Sequence, residues 1–333
     1  MPQPPGSALF RAVLVAFLPA MAASSSAASP TAEVIFRGAC DASASQALGD
    51  RWLVTASDED STLRLYDRDR GGLPAADFDL APFLELAGKH RETDLEGSAQ
   101  IGDLIFWTGS HGRNRDGKPR PNRHRLFATR VLPGDPPTLK FEGRPFTGLV
   151  AALAAEPALA AFDLARAETL SPEVDGGLNI ESLAATADGG LLLGFRSPVP
   201  GGLALAVPLL NPIEVIAGRP PVLGAPHRLD LGGRGIRSFQ RVGDQYLVVG
   251  GHATKGGDFA FYLWDGRSTT TRRLPAAVPH GLTVETMVLD PHTGLKRAFC
   301  LSDDGSRAIR GQDCRDEKDP SLRQFRGAWM ALE

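Results

Sequence analysis

Short runs of strand length, some alternating apolar with polar residues and some continuously apolar, recur from residue 33 to the C-terminal end and are separated by turns rich in Gly, Asp and Ser. That pattern predicts an antiparallel β protein. A short motif marks the start of successive groups of runs: Cys40-Asp41-Ala42-Ser43-Ala44, Leu95-Glu96-Gly97-Ser98-Ala99, Ile180-Glu181-Ser182-Leu183-Ala184 and Val284-Glu285-Thr286-Met287-Val288. In a fifth copy, Ile236-Arg237-Ser238-Phe239-Gln240, a cation replaces the acid. Self-similarity at such spacing is the signature of a repeat architecture, here the blades of a β-propeller.

Aligned on the motif, the chain predicts four strands per unit. The first unit takes 42–47, 52–56, 63–67 and 76–80; the second 96–101, 104–108, 125–131 and 138–141. The third takes 181–186, 191–195, 203–209 and 227–231; the fourth 237–242, 246–250, 259–264 and 270–274. Tyr66-Asp67 and Trp264-Asp265 close the third strand of two units, and Ser57-Asp58-Glu59-Asp60 echoes Ser302-Asp303-Asp304-Gly305 after the second strand. The fifth unit has three strands of its own, 285–289, 297–301 and 325–332, and is expected to borrow its outer strand from residues 33–37. The fold class is therefore all-β, a propeller of five four-stranded blades closed by the chain ends, with six blades as the alternative count. One segment breaks the pattern: residues 147–164 are Ala/Leu-rich with apolar residues at helical spacing around Pro157, predicting a short helical insertion.

Arg11, the apolar stretch 12–22 and Ala20-Met21-Ala22 read as a cleavable export signal over residues 1–23. The apolar stretch is well short of the roughly 20 residues a spanning helix needs. Residues 24–32 follow as a Ser/Ala/Pro leader, and residues 33–333 form a single propeller domain. This organisation implies an exported, periplasmic or extracellular protein with no membrane span after signal cleavage, expected to be a monomer. A formal net charge of −3 excludes nucleic acid as a general partner, because phosphate binding needs a strong basic excess. Export also invites a disulfide. Cys300 and Cys314 flank a polar, Gly-containing hairpin, and pairing them would close a loop of about 15 residues, stabilising by roughly 3 kcal/mol. Cys40, in an apolar context, is expected to be a buried thiol.

In an antiparallel blade the start of the first strand and the end of the second lie at the same edge. This gathers Asp41, Glu96, Glu181, Arg237 and Glu285 around the mouth of the central channel, together with the loops that follow the second strands. Two carboxylates ~6 Å apart at an effective dielectric of about 20 repel by roughly 3 kcal/mol. Arg237, a bound cation or raised carboxyl pKa values must compensate. Asp41, Glu96, Asn179, Glu181 and Glu285 are accordingly candidate oxygen ligands for calcium or magnesium; the same acids could instead cap backbone amides and tie blades together. The loop Ser110-His111-Gly112-Arg113-Asn114 and onward to Arg125 concentrates cations beside that mouth. Arg113, Asn114, Arg196 and Arg237 are candidates for clamping an anionic group. Gly-x-Ser-x-Gly, His-Glu-x-x-His, Cys-x-x-Cys and Walker motifs are absent from the sequence, which argues against serine-triad, zinc-protease and nucleotide-driven chemistry.

The strings GACDASASQAL, DEDSTLRLY, DLEGSAQIGDLIFWTGSHGRNRDGKPRP, GGLNIESLAATADGGLLLGFRSPVPGGLALAVPL, LDLGGRGIRSFQRV and FCLSDDG resemble the bacterial exported family of the domain of unknown function 3616, over nearly the whole chain from Glu33. The resemblance implies a propeller-like domain with no established activity. A weaker likeness, carried by the acids at Glu96 and Glu181, is to phytase-like esterase propellers, from which Arg237 departs. Three functions are expected from these residues. The first is binding of a small polar or anionic ligand at the mouth, with a divalent cation. The second is metal-assisted phosphoester or carboxyester hydrolysis, with Glu96, Glu181 and His111 as catalytic groups beside Arg113, Arg196 and Arg237. The third is a protein-interaction scaffold.

Overall fold

The computed structural model describes residues 1–3, 33–254, 258–276, 278 and 281–332. Most of the expected signal and all of the expected leader fall on residues 4–32, outside the described residues. Five four-stranded antiparallel sheets follow one another along the chain. Blade one comprises Ala44–Leu48, Trp52–Ala56, Thr62–Asp67 and Ala76–Asp79. Blade two comprises Leu95–Ile101, Leu104–Gly109, Leu126–Leu132 and Thr138–Phe146. Blade three comprises Asn179–Ala185, Leu191–Ser197, Ala204–Leu209 and His227–Leu229. Blade four comprises Gly235–Val242, Gln245–Gly251, Ala260–Trp264 and Arg272–Arg273. Blade five takes Val284–Asp290, Gly294–Ser302 and Gln324–Ala331 from the end of the chain and Val34–Arg37 from its beginning, with Val34 opposite Gly327. Each first strand contacts that of the next blade and the fifth contacts the first, so the sheets form a closed ring. It is a five-bladed β-propeller.

Five clusters of buried apolar side chains fill the five junctions between blades. Both faces of a blade are therefore buried, and strand alternation distributes side chains between them. Ile105 and Trp107 enter the cluster shared with blade one, while Leu104 and Phe106 enter the cluster shared with blade three. This is why so many runs read as continuously apolar. The helical insertion consists of Leu149–Ala155, a 3-10 turn at Pro157–Phe162 and Leu164–Glu168, four residues beyond the expected end. Leu149, Leu153, Leu159 and Leu164 cover the junction of blades two and three. A further short helix, Pro212–Ile216, follows the third strand of blade three and was not apparent from the sequence pattern.

The disulfide joins Cys40 to Cys314, and Cys300 is a buried free thiol, which corrects the expected Cys300–Cys314 pair and the expected free Cys40. Strand parity explains the correction. Phe299 and Leu301 face blade one, so Cys300 between them faces blade four, among Leu247, Val249 and Met287. Cys40 lies where blade one begins against the last connection of blade five, and its carbonyl accepts from Asp304 N at 2.9 Å. Ring closure brings together two cysteines 274 residues apart. Both the borrowed strand and the disulfide thus fasten the beginning of the ring to its end. The variant Cys300→Ala is expected to show no free thiol after denaturation without reductant. Cys40→Ala and Cys314→Ala are each expected to gain a thiol and to lose about 2–5 kcal/mol of stability, measured by thiol titration and denaturant unfolding.

Candidate functional site

In four blades the charged residue of the motif sits on a β-bulge. The register of first against second strand shifts between Leu95 and Gly97, Ile180 and Ser182, Ile236 and Ser238, and Val284 and Thr286. A bulge places an extra residue in the strand and re-aims its side chain; Glu96, Glu181, Arg237 and Glu285 are those residues, and all four line one cavity. Gly97 permits the close approach this requires, since a Cβ there would lie 2.8 Å from the Ser182 carbonyl carbon. In blade one Asp41 precedes the first strand, and it lies behind the cavity wall rather than on it.

The cavity has a volume of about 1050 Å³ and lies over the channel mouth. Arg237 is its central cation. It is 7% exposed; Nη1 donates to Glu181 Oε1 at 3.3 Å, Nε lies 3.1 Å from Oε2, and Nη2 pairs with Glu285 Oε1. Burial alone would pull its pKa down, but Glu181, Glu285 and Glu96 outweigh that and hold it above the usual arginine range. Glu181 Oε1 also accepts from Arg196 Nη1 at 2.7 Å and from Asn179 Nδ2 at 2.9 Å. Arg196 completes its shell on the His252 and Thr254 carbonyls. Burial pushes the Glu285 carboxyl up, to about 7, against the pull of Arg237. On this side of the mouth each buried carboxylate has a guanidinium.

The opposite side is different. Asp58, Asp94 and Glu96 offer oxygens within 4.8 Å of one another, as do Asp41, Asp58 and Glu59. Arg123 Nη1 lies 2.8 Å from Asp94 Oδ2. Among the described residues the side chains of Asp58 and Glu96 have no hydrogen bond or ion pair. Burial, reinforced by Asp41 at Asp58 and by Glu181 at Glu96, pushes both carboxyls well above the ordinary range. Burial raises Asp94 also, despite Arg123. Asp41 is pushed up to about 8 by burial and then by Glu59, although it accepts from Ser43 Oγ at 3.0 Å, Ser57 Oγ at 2.6 Å and Asp58 N at 3.1 Å.

Of the residues singled out in the sequence, Glu96, Asn179, Glu181, Arg196, Arg237, Glu285 and Asn114 meet at this cavity. Arg113 does not reach it; its Nε donates to the Glu168 carbonyl at 2.7 Å and fastens the cationic loop to the helical insertion. His111 is fully buried behind the wall, with Nε2 3.1 Å from Thr108 Oγ1 and its pKa pushed down to about 3 by burial and then by His124. Sequence reasoning missed Asp58, Asp94 and Asp303. The matching turns Ser57-Asp58-Glu59-Asp60 and Ser302-Asp303-Asp304-Gly305 were the available signal, for both deliver an acid to the cavity.

A family model described as "Protein of unknown function (DUF3616)" matches residues 41–132 and 142–298. The chain belongs to this family. No curated protein matches it. Solved structures similar to this DUF3616 chain include a glutaminyl cyclase from Myxococcus xanthus, 10% identical, covering 91% of this chain and 96% of that one with a TM-score of 0.46. A gluconolactonase from Xanthomonas campestris is 13% identical, covers 89% and 79%, and has a TM-score of 0.39. A putative oxidoreductase (glucose dehydrogenase) from Thermus thermophilus is 13% identical, covers 90% and 100%, and has a TM-score of 0.43.

Removing the guanidinium at the centre of the mouth strands the Glu285 carboxylate and leaves Glu181 with Arg196 alone. Arg237→Met is expected to lower stability by about 3–5 kcal/mol, measured by denaturant unfolding at pH 7. Lys140→Met on the exposed outer strand of blade two should change it by no more than about 0.5 kcal/mol.

Proposed function

We propose that this propeller binds a divalent cation, calcium or magnesium, on Asp58, Asp94 and Glu96, and with it a small polar, anionic ligand in the cavity. The observation that carries the reading is this carboxylate group, two of whose members have no counter-charge among the described residues. Hard oxygen donors suit calcium or magnesium. A second observation is independent of the acids. Asn179 Oδ1 belongs to a side chain only 5% exposed at the same cavity and has no hydrogen-bond partner among the described residues. Its carbonyl oxygen is thereby free to serve as a neutral ligand at the cavity.

Binding fits the geometry better than ester hydrolysis. Glu181 is surrounded by Arg196, Arg237 and Asn179, and His111 lies outside the cavity, so neither is placed as a base. Export belongs to the same proposal, because the Cys40–Cys314 disulfide suits an oxidising compartment. Among the described residues no helix is long and apolar enough to cross a membrane.

The pH dependence has a definite sign. A carboxyl raised in the folded state favours folding while protonated, and that contribution is lost as pH climbs above the unfolded value of about 4 towards the folded one. A cation replaces those protons. Calcium at about a hundredfold excess over its Kd is expected to raise the melting temperature by about 5 °C at pH 8 and by much less at pH 5. Glu96→Gln should abolish most of the pH 8 shift without lowering the cation-free melting temperature. A wild-type melting temperature indifferent to calcium and magnesium at pH 8 overturns the reading.

A further inference from the structure

In blades three, four and five the residue directly after the charged position of the motif carries a hydroxyl: Ser182 follows Glu181, Ser238 follows Arg237 and Thr286 follows Glu285. The three occupy equivalent places, the first pair beyond the bulge, opposite Gly194, Val249 and Leu301 of the second strands. Ser182 is 3% exposed, and Ser238 and Thr286 are 4% exposed. None of these hydroxyls has a hydrogen-bond partner among the described residues. Folded proteins satisfy the large majority of their buried side-chain polar atoms, with protein groups or with a bound water or ion. Ser98 of blade two shows the ordinary case: it donates to the Ser45 carbonyl at 3.2 Å and accepts from Gln46 Nε2 at 3.1 Å.

The unpartnered hydroxyls belong to one space. Ser182, Ser238 and Thr286 line a pocket of about 10 Å³ between the first strands of blades two to five, together with Glu96 and Glu181. Both acids also line the large cavity, so the pocket adjoins it. A volume of that order takes a single water-sized occupant. Water would complete the hydroxyls, but it would leave the charge of Glu96, which has no ion pair among the described residues, uncompensated. A cation does both, because hydroxyl and carboxylate oxygens are hard donors. A divalent ion held by protein oxygens draws on several carboxylates, whereas one uncompensated carboxylate with three neutral oxygens matches a monovalent ion. A pocket this small suits sodium better than the larger potassium.

We infer that Ser182, Ser238 and Thr286, with Glu96, form a sodium site between the first strands, beneath the mouth. Glu96 is the one residue it shares with the divalent site on Asp58, Asp94 and Glu96, and the two stand or fall separately. Melting temperatures are compared at pH 8 and equal ionic strength in sodium, potassium and tetramethylammonium chloride, without divalent ions. Sodium at about twentyfold over its Kd is expected to raise the melting temperature by about 3 °C relative to tetramethylammonium, and potassium by less. Sodium-23 resonance should broaden with the wild-type protein. Ser238→Ala and Thr286→Val should each remove both effects, whatever their own stability in tetramethylammonium, and Thr286→Ser should keep them. Both variants should retain the calcium shift, whereas Glu96→Gln loses the sodium and the calcium shifts together. Equal melting temperatures in the three salts, a potassium shift as large as that of sodium, or a sodium shift that survives Thr286→Val overturns the sodium site, whichever way the calcium titration falls; the hydroxyls then hold water only.

Discussion

Arg237 sits between Glu181 and Glu285, and this buried three-residue ion network organises the channel mouth. It spans three blades, since Glu181 belongs to the third, Arg237 to the fourth and Glu285 to the fifth. Apolar packing at the blade junctions is not directional, whereas a guanidinium held between two carboxylates fixes the relative position of the strands that carry them. The cost of taking these charges out of water is large, and a buried ion pair is not by itself a net source of stability. Its structural consequence is to set where the bulged strands end and hence the shape of the cavity over them.

The network also accounts for the asymmetry of the mouth. The fourth blade contributes a cation where the others contribute acids, so Glu181 and Glu285 of blades three and five are paired with a guanidinium, whereas among the described residues Glu96 and Asp58 of blades two and one are unpaired. Asp58 and Glu96 are left to take up protons or a cation. Asp41 behind them is itself raised to about 8 and satisfied by hydroxyls and a backbone amide, so it supports the turn carrying Asp58 rather than facing the cavity. One substitution in a repeating pattern thus separates a half of the ring whose motif acids are paired with guanidiniums from a half where Asp58 and Glu96 are unpaired among the described residues.

Strand positions were legible because every blade buries both faces, giving apolar runs long enough to read, and because the motif recurs at the same point in each blade. Ring closure by residues 33–37 was legible for a related reason: the fifth unit lacked one strand and the chain had one left over. The disulfide was not legible, since the choice between Cys40 and Cys300 depends on strand parity and on a ring closure that brings distant segments together. Of the motif acids Glu96, Glu181 and Glu285 line one cavity while Asp41 lies behind its wall, and Asp58, Asp94 and Asp303 come from turns whose reach depends on three-dimensional geometry. His111 misled for a physical reason: a polar residue in a cationic loop looks exposed, yet this one turns inward onto Thr108.

Whether the uncompensated carboxylates of blades one and two hold a cation can be decided by anomalous scattering from crystals grown at pH 8 with manganese in place of calcium. A single strong anomalous peak is expected within coordination distance of Asp58, Asp94 and Glu96 oxygens, with Arg237 still between Glu181 and Glu285. Ordered carboxyls bonded directly to one another, with no anomalous density between them at millimolar manganese, would contradict a cation site there.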